Sequence, residues 1–139
     1  PNITKAQTAG YAKVITQVGD IIPYQTSAIF FSPDFVKKDD IAVRFLRAYV
    51  KACNYYYDAA IDKKSPEKLD EVIKIIAKYT NAPVEDVKLG LPYIDRNGKL
   101  LDSDIKTQIE WYSSHNMING KLDPAQVINT SLLEKALKK

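Results

Sequence analysis

From Ala42 to Ala60 the residues Ala42, Phe45, Leu46, Tyr49, Cys53, Tyr56, Tyr57 and Ala60 recur at three- and four-residue spacing, while Arg44, Arg47, Lys51, Asn54 and Asp58 fall between them. An α-helix turns once in about 3.6 residues, so this spacing gathers the first set onto one stripe and the second onto the other face. A strand, with its period of two, cannot do so. The pattern predicts one long helix from Asp39 to about Lys63, and the rest of the chain must supply what covers its apolar stripe.

Further elements are marked by their punctuation. Ser32-Pro33-Asp34 and Ser65-Pro66-Glu67 each read as an N-cap, a Pro at the first helical position and an acid at the positive end of the helix dipole. After the second of these, Leu69, Val72, Ile73 and Ile76 form the apolar stripe and Lys68, Asp70, Glu71, Lys74 and Lys78 face out. A short helix is predicted from Pro1 to Ala9 with Gly10 as its stop, and a helical turn from Pro83 closed by Gly90. Asn97-Gly98 signals a tight turn. Asp102 or Ser103 then caps a helix aligning Ile105, Ile109 and Tyr112 and ending near Asn119-Gly120. Asp123-Pro124 opens a last segment that closes in a basic helical tail, 131–139. Two short strands are expected, over 11–16 (YAKVIT) and 24–32 (YQTSAIFFS), with Pro23 barring a central-strand position before the second.

At 139 residues the chain is one unit with a real core, or a piece of one. Starting without Met, it reads as a processed or excised segment. Its 20 Lys and Arg against 17 Asp and Glu are interspersed, unlike the concentrated basic stripe that nucleic acid calls for, so no nucleic-acid partner is expected. The lone Cys53 excludes an internal disulfide. No apolar run approaches the roughly 20 residues of a membrane-spanning helix.

The sequence is poor in catalytic grammar. Cys53 and His115 could pair as nucleophile and base, but Cys53 falls on the apolar stripe and no third orienting group is marked, so packing is expected. With one Cys and one His a metal site would have to be all-oxygen. Asp39-Asp40, Asp102-Asp104 and the Asp95–Lys99 turn all lack the ladder of ligands that calcium needs, so no metal and no cofactor are expected. Tyr55, Tyr56 and Tyr57 could stack on bases or sugars, yet consecutive helical residues are about 100° apart and share no face. Trp111 is expected to pack between helices rather than stand as an exposed anchor. The scattered glycines form no phosphate loop, and the balance favours a binding or structural role over catalysis.

Three segments in order, GYAKVITQVGDIIPYQTSAIFFSPDFVKK, AVRFLRAYVKACNYYYDAAIDKKSPEKLDEVIKIIAKYTNAPVEDV and YIDRNGKLLDSDIKTQIEWYSSHNMINGKLDPAQVINTSLLEKAL, cover nearly the whole chain. Together they resemble the carboxy-terminal part of bacterial substrate-binding proteins of ABC importers, in the nitrate, sulfonate, taurine and thiamine-pyrimidine-precursor binding family. The resemblance implies a two-lobed α/β parent of the type 2 periplasmic binding protein fold, of which this chain is a predominantly α-helical fragment. Residues 1–22 would end the second lobe, and 23–139 would be the returning strand and the carboxy-terminal helices of the first. It implies an extracytoplasmic location, periplasmic or lipid-anchored at the outer face of the membrane. The partners would be a small anionic or heteroaromatic solute and ABC permease subunits, with self-association of the fragment through the 24–31 edge. Tyr24, Gln25 and Thr26, at the crossover, would be the ligand-side residues. Alternatively, Tyr24 caps the core and Gln25 satisfies hinge backbone groups. Two other function classes stand beside this one: an enzyme resembling the pyrimidine-precursor synthases of thiamine biosynthesis, and a free-standing helical interaction domain.

Overall fold

The computed structural model describes residues 2–138. The expected helix start at Pro1 and the last residue of the basic tail, Lys139, lie outside them. In chain order the helices are α1 (Asn2–Thr8), α2 (Val18–Ile21), α3 (Pro33–Val36), α4 (Asp39–Tyr56), α5 (Pro66–Thr80), α6 (Val84–Leu89), α7 (Asp102–Ser114), α8 (Pro124–Val127) and α9 (Ser131–Leu137), with a π-helical turn over Tyr57–Ile61 continuing α4. The fold is mostly helical, as the periodicity predicts.

The two expected strands are absent among the described residues. Residues 12–17 and 23–32 are irregular. A strand exists only through the ladder it shares with a neighbour, and these stretches find none. β-propensity measures fit to a sheet, and here there is no sheet to fit.

The chain divides into two compact units, one of Pro1–Gln17 with Lys51–Gly98, the other of Val18–Val50 with Lys99–Lys139. In the first, Tyr56, Ala59, Ala60 and Val72 are buried together, with Tyr55, Ile61, Leu69, Ile76, Leu91 and Ile94 packed around them. The Ser65 hydroxyl caps α5 by accepting from the Lys68 N–H, Pro66 follows it, and Asn81 ends the helix in the left-handed region at φ 53°. The Asn97-Gly98 turn forms as expected. Gly98 donates to the Asp95 carbonyl at 3.0 Å with φ 68°, a conformation that favours glycine.

In the second unit Ala42, Leu46, Leu132 and Ala136 join α4 to α9, and Phe31, Phe35, Val43, Tyr49 and Leu133 pack against them. Ser32 caps α3 as the sequence predicts, and Asp123 caps α8 where the last segment opens. Two departures concern α7. Neither Asp102 nor Ser103 caps it, since Leu101 holds the cap position without a side-chain bond. It also ends at Ser114, before Asn119-Gly120, because Asn116 turns left-handed at φ 54°.

The stripe on α4 is buried at Ala42, Leu46, Cys53 and Tyr56. Phe45 departs from it and is 50% exposed. Its ring makes an edge contact with Phe31 at 5.6 Å instead of entering the core.

Candidate functional site

The segment around residues 24–26 is held by Gln25. Its backbone N–H donates to Asp104 Oδ2 at 2.6 Å, and its backbone carbonyl accepts from Gln108 Nε2 at 3.0 Å. Its side-chain Oε1 accepts from the Leu101 N–H at 2.8 Å, and Nε2 donates to the Ser27 carbonyl at 2.6 Å. Gln108 Nε2 also donates to Asp104 Oδ2 at 2.6 Å, which closes the network. The position is half-buried, and both ends of the amide are in use. Asp104 and Gln108 are four residues apart on α7 and so share a face.

Of Tyr24, Gln25 and Thr26, Gln25 thus serves the backbone at Leu101 and Ser27. Tyr24 does not cap a core, being 48% exposed, and Thr26 is exposed. Sequence reasoning missed Asp104 and Gln108. Their four-residue spacing is legible, but their partner lies 79 and 83 positions away.

A second cluster lies in the other unit. Arg96 Nη1 is 2.8 Å from Asp58 Oδ1, and Nη2 donates to Asp62 Oδ2 at 2.6 Å. Lys64 Nζ joins Asp62 at 2.9 Å, and the guanidinium lies 4.4 Å above the Tyr57 ring. Asn54 Nδ2 donates to the Arg96 carbonyl at 3.0 Å. The Arg96 guanidinium holds the Asp58 carboxyl below the usual range. The cluster ties the π-helical turn to the Asn97-Gly98 turn, a link that local sequence patterns do not reveal.

The three tyrosines separate, as helical geometry requires. Tyr55 donates to Glu71 on α5 with Lys68 over its ring, Tyr56 is buried and donates to the Pro92 carbonyl, and Tyr57 meets Arg96 and Tyr93. Burial pushes the Tyr56 hydroxyl up to about 12. They form no common stacking platform.

Cys53 is buried within the first unit. His115, at the end of α7 in the second, is exposed and stacks on Trp111 with ring centroids 4.1 Å apart. Its Nδ1 lies 2.8 Å from the Trp111 carbonyl. Trp111, expected between helices, is 51% exposed and contacts Tyr112 and His115 of its own helix end. A helix with no buried residue offers such a ring no interior.

Among the described residues no group of three or more His, Cys, Asp or Glu could hold a metal ion, and no helix is long and apolar enough to cross a membrane. A shallow depression of about 430 Å³ in the second unit is lined by Asp39, Asp40, Val43, Arg44, Arg47 and Lys135. Its mixed charges differ from the mostly apolar lining typical of small-molecule clefts. No family model, no curated protein and no solved structure matches the chain.

Proposed function

We propose that this chain is the carboxy-terminal part of an extracytoplasmic solute-binding protein of two-lobed α/β architecture. That protein captures a small anionic or heteroaromatic solute and delivers it to the membrane subunits of an ABC importer, binding it without chemical conversion. Residues 1–22 end the second lobe, and 23–139 return the chain to the first.

One observation carries the reading beyond the ordered three-segment resemblance. The two stretches with strand-like composition hold the most exposed large apolar side chains among the described residues, Tyr11, Ile15 and Phe30, at 89, 96 and 84%. Stretches of strand-like composition ordinarily set such side chains against sheet neighbours rather than water. In a larger α/β protein the same residues meet sheet neighbours. Because the Gln25 amide is consumed within the turn, Tyr24 and Thr26 are the crossover side chains left to face a solute.

The test is a thermal-shift screen of the protein translated from the full reading frame around this chain. One class of small anions or heteroaromatics is expected to raise its melting temperature. At a hundred times Kd the linkage amounts to about 2.7 kcal/mol. No stabilisation by any solute overturns the reading.

A further inference from the structure

The tetrapeptide Asn-Gly-Lys-Leu is written twice in the chain, at 97–100 and at 119–122, the second time in the link between α7 and α8. No other asparagine is followed by glycine. An Asn-Gly step carries a chemistry of its own. The glycine's backbone nitrogen, once it gives up its proton to water, attacks the carbonyl carbon of the asparagine side chain. The new N–C bond closes a succinimide ring, and the side-chain nitrogen takes up a proton and leaves as ammonia. Water then adds to one of the two ring carbonyls and reopens the ring, leaving aspartate or isoaspartate. Water is the sole co-reactant, and nothing is oxidised or reduced. Glycine favours the attack because it has no side chain to hold its nitrogen off. With the same residues at and after the reacting step, the folded surroundings decide which copy reacts.

At Asn97-Gly98 the surroundings hold the step shut. The Gly98 N–H, whose proton must be lost, donates to the Asp95 carbonyl at 3.0 Å, and the Asn97 N–H donates to Asp95 Oδ1 at 2.9 Å. Arg96, next to them, is tied by its guanidinium to Asp58 and Asp62 and by its carbonyl to Asn54 Nδ2. Both residues of the step are half-buried. Attack there has to wait for the turn to open.

At Asn119-Gly120 these restraints are missing. Both residues are exposed, and neither the Asn119 side-chain amide nor the Gly120 N–H has a hydrogen-bond partner among the described residues. The pair's one bond is to the Gly120 carbonyl, which accepts from Ser113 Oγ at 3.5 Å. Apart from the adjoining residues, nothing lies within 4 Å of where a Cβ on Gly120 would stand. The nitrogen and the carbonyl carbon are free to meet.

We propose that Asn119-Gly120 is a site of spontaneous deamidation and that the fold protects the matching step at Asn97-Gly98. The product puts a carboxylate beside Lys121, and its isoaspartate form routes the main chain through the side-chain carbon, which lengthens the link from α7 to α8. The proposal does not rest on the solute-binding reading.

The test incubates the 139-residue chain in warm, mildly alkaline buffer, folded and in urea, and follows both steps by peptide mass mapping after chymotrypsin. Each step's folded rate is divided by its own rate in urea, which cancels the difference between Arg96 and Ile118 as preceding residues. The ratio at Asn119 is expected near unity. At Asn97 it should be lower by about tenfold, which equals about 1.4 kcal/mol of local opening. Asn119→Gln, at an exposed position, should keep the helical circular dichroism and lose the early mass gain. Equal ratios at the two steps overturn the proposal, as does a lower ratio at Asn119 or an early mass gain that persists in Asn119→Gln. None of these results bears on the thermal-shift screen, which reads the solute.

Discussion

In the unit built on Lys51–Gly98, a core of Tyr56, Ala59, Ala60 and Val72 is ringed by directional ties: Tyr56 to the Pro92 carbonyl, Tyr55 to Glu71, and Arg96 to Asp58, Asp62 and the Asn54 amide. In the other unit, Ala42, Leu46, Leu132 and Ala136 form a comparable core, but the interior polar ties concentrate on Gln25. Both cores are rich in alanine, and alanine buries little apolar area. Hydrogen bonds and ring contacts therefore do much of the work of fixing geometry. Where they are spread over several elements, loops such as 91–98 stay close to the core. Where they meet at one residue, the neighbouring segment beyond Gln25 is left open.

The comparison can be broken in order of expected effect. Leu132→Ala should cost about 2–5 kcal/mol and Val72→Ala about 2 kcal/mol, from lost burial and the cavity left behind. Urea unfolding followed by hydrogen exchange should show each loss concentrated in the unit that holds the residue. Uniform loss of protection across both units in both variants would mean that they are not separable in stability. Gln25→Ala comes next. It orphans the Leu101 N–H and strips the Ser27 carbonyl of its donor, which should cost about 1–3 kcal/mol. Faster exchange at Leu101 and the first turn of α7 is the local signature, and unchanged exchange there would remove Gln25 from its role as clamp.

Much of this architecture was legible because its signals are local. The three- and four-residue spacing along α4, the Ser-Pro starts of α3 and α5 and the Asn97-Gly98 turn each act within a few residues of where they are written. What failed depends on partners elsewhere in the chain. The residues of 11–16 and 24–32 have strand chemistry, but a strand needs a neighbour that these stretches do not meet. Trp111 was expected to be covered, yet no residue of α7 is fully buried. The Gln25 and Arg96 networks join residues far apart in sequence, so no window of the sequence contains them.

Two smaller effects sharpen the contrast. Ser65→Ala removes the cap of α5 and should cost about 1 kcal/mol in a thermal melt, while leaving the exchange of α7, which has no side-chain cap, unchanged. The smallest effect is in acid. The Asp58 carboxyl is held low by its bond to Arg96, so the pair's stabilisation is present above the unfolded value of roughly 3.9 and drains away as pH falls through the folded value. Melting temperature should therefore fall more steeply with acid in the wild type than in Arg96→Met. Parallel curves would count against the pair. The slope is modest because both side chains are about a third exposed and screened by salt.

The π-helical turn over Tyr57–Ile61 bears on how the chain tolerates changes in length. Each bond of such a turn spans one residue more than its α counterpart, as the Asp62 N–H reaching back to the Tyr57 carbonyl does here. The helix therefore stores one surplus residue at this point. Deleting a residue within the turn can return the end of the helix to α geometry, and no helical face follows it before α5 to be thrown out of register. The same deletion inside α4 would swing everything after it by about 100°. In a library of single-residue deletions across the helix from Asp39 to Ile61, those between Tyr57 and Ile61 should be tolerated better than those inside α4.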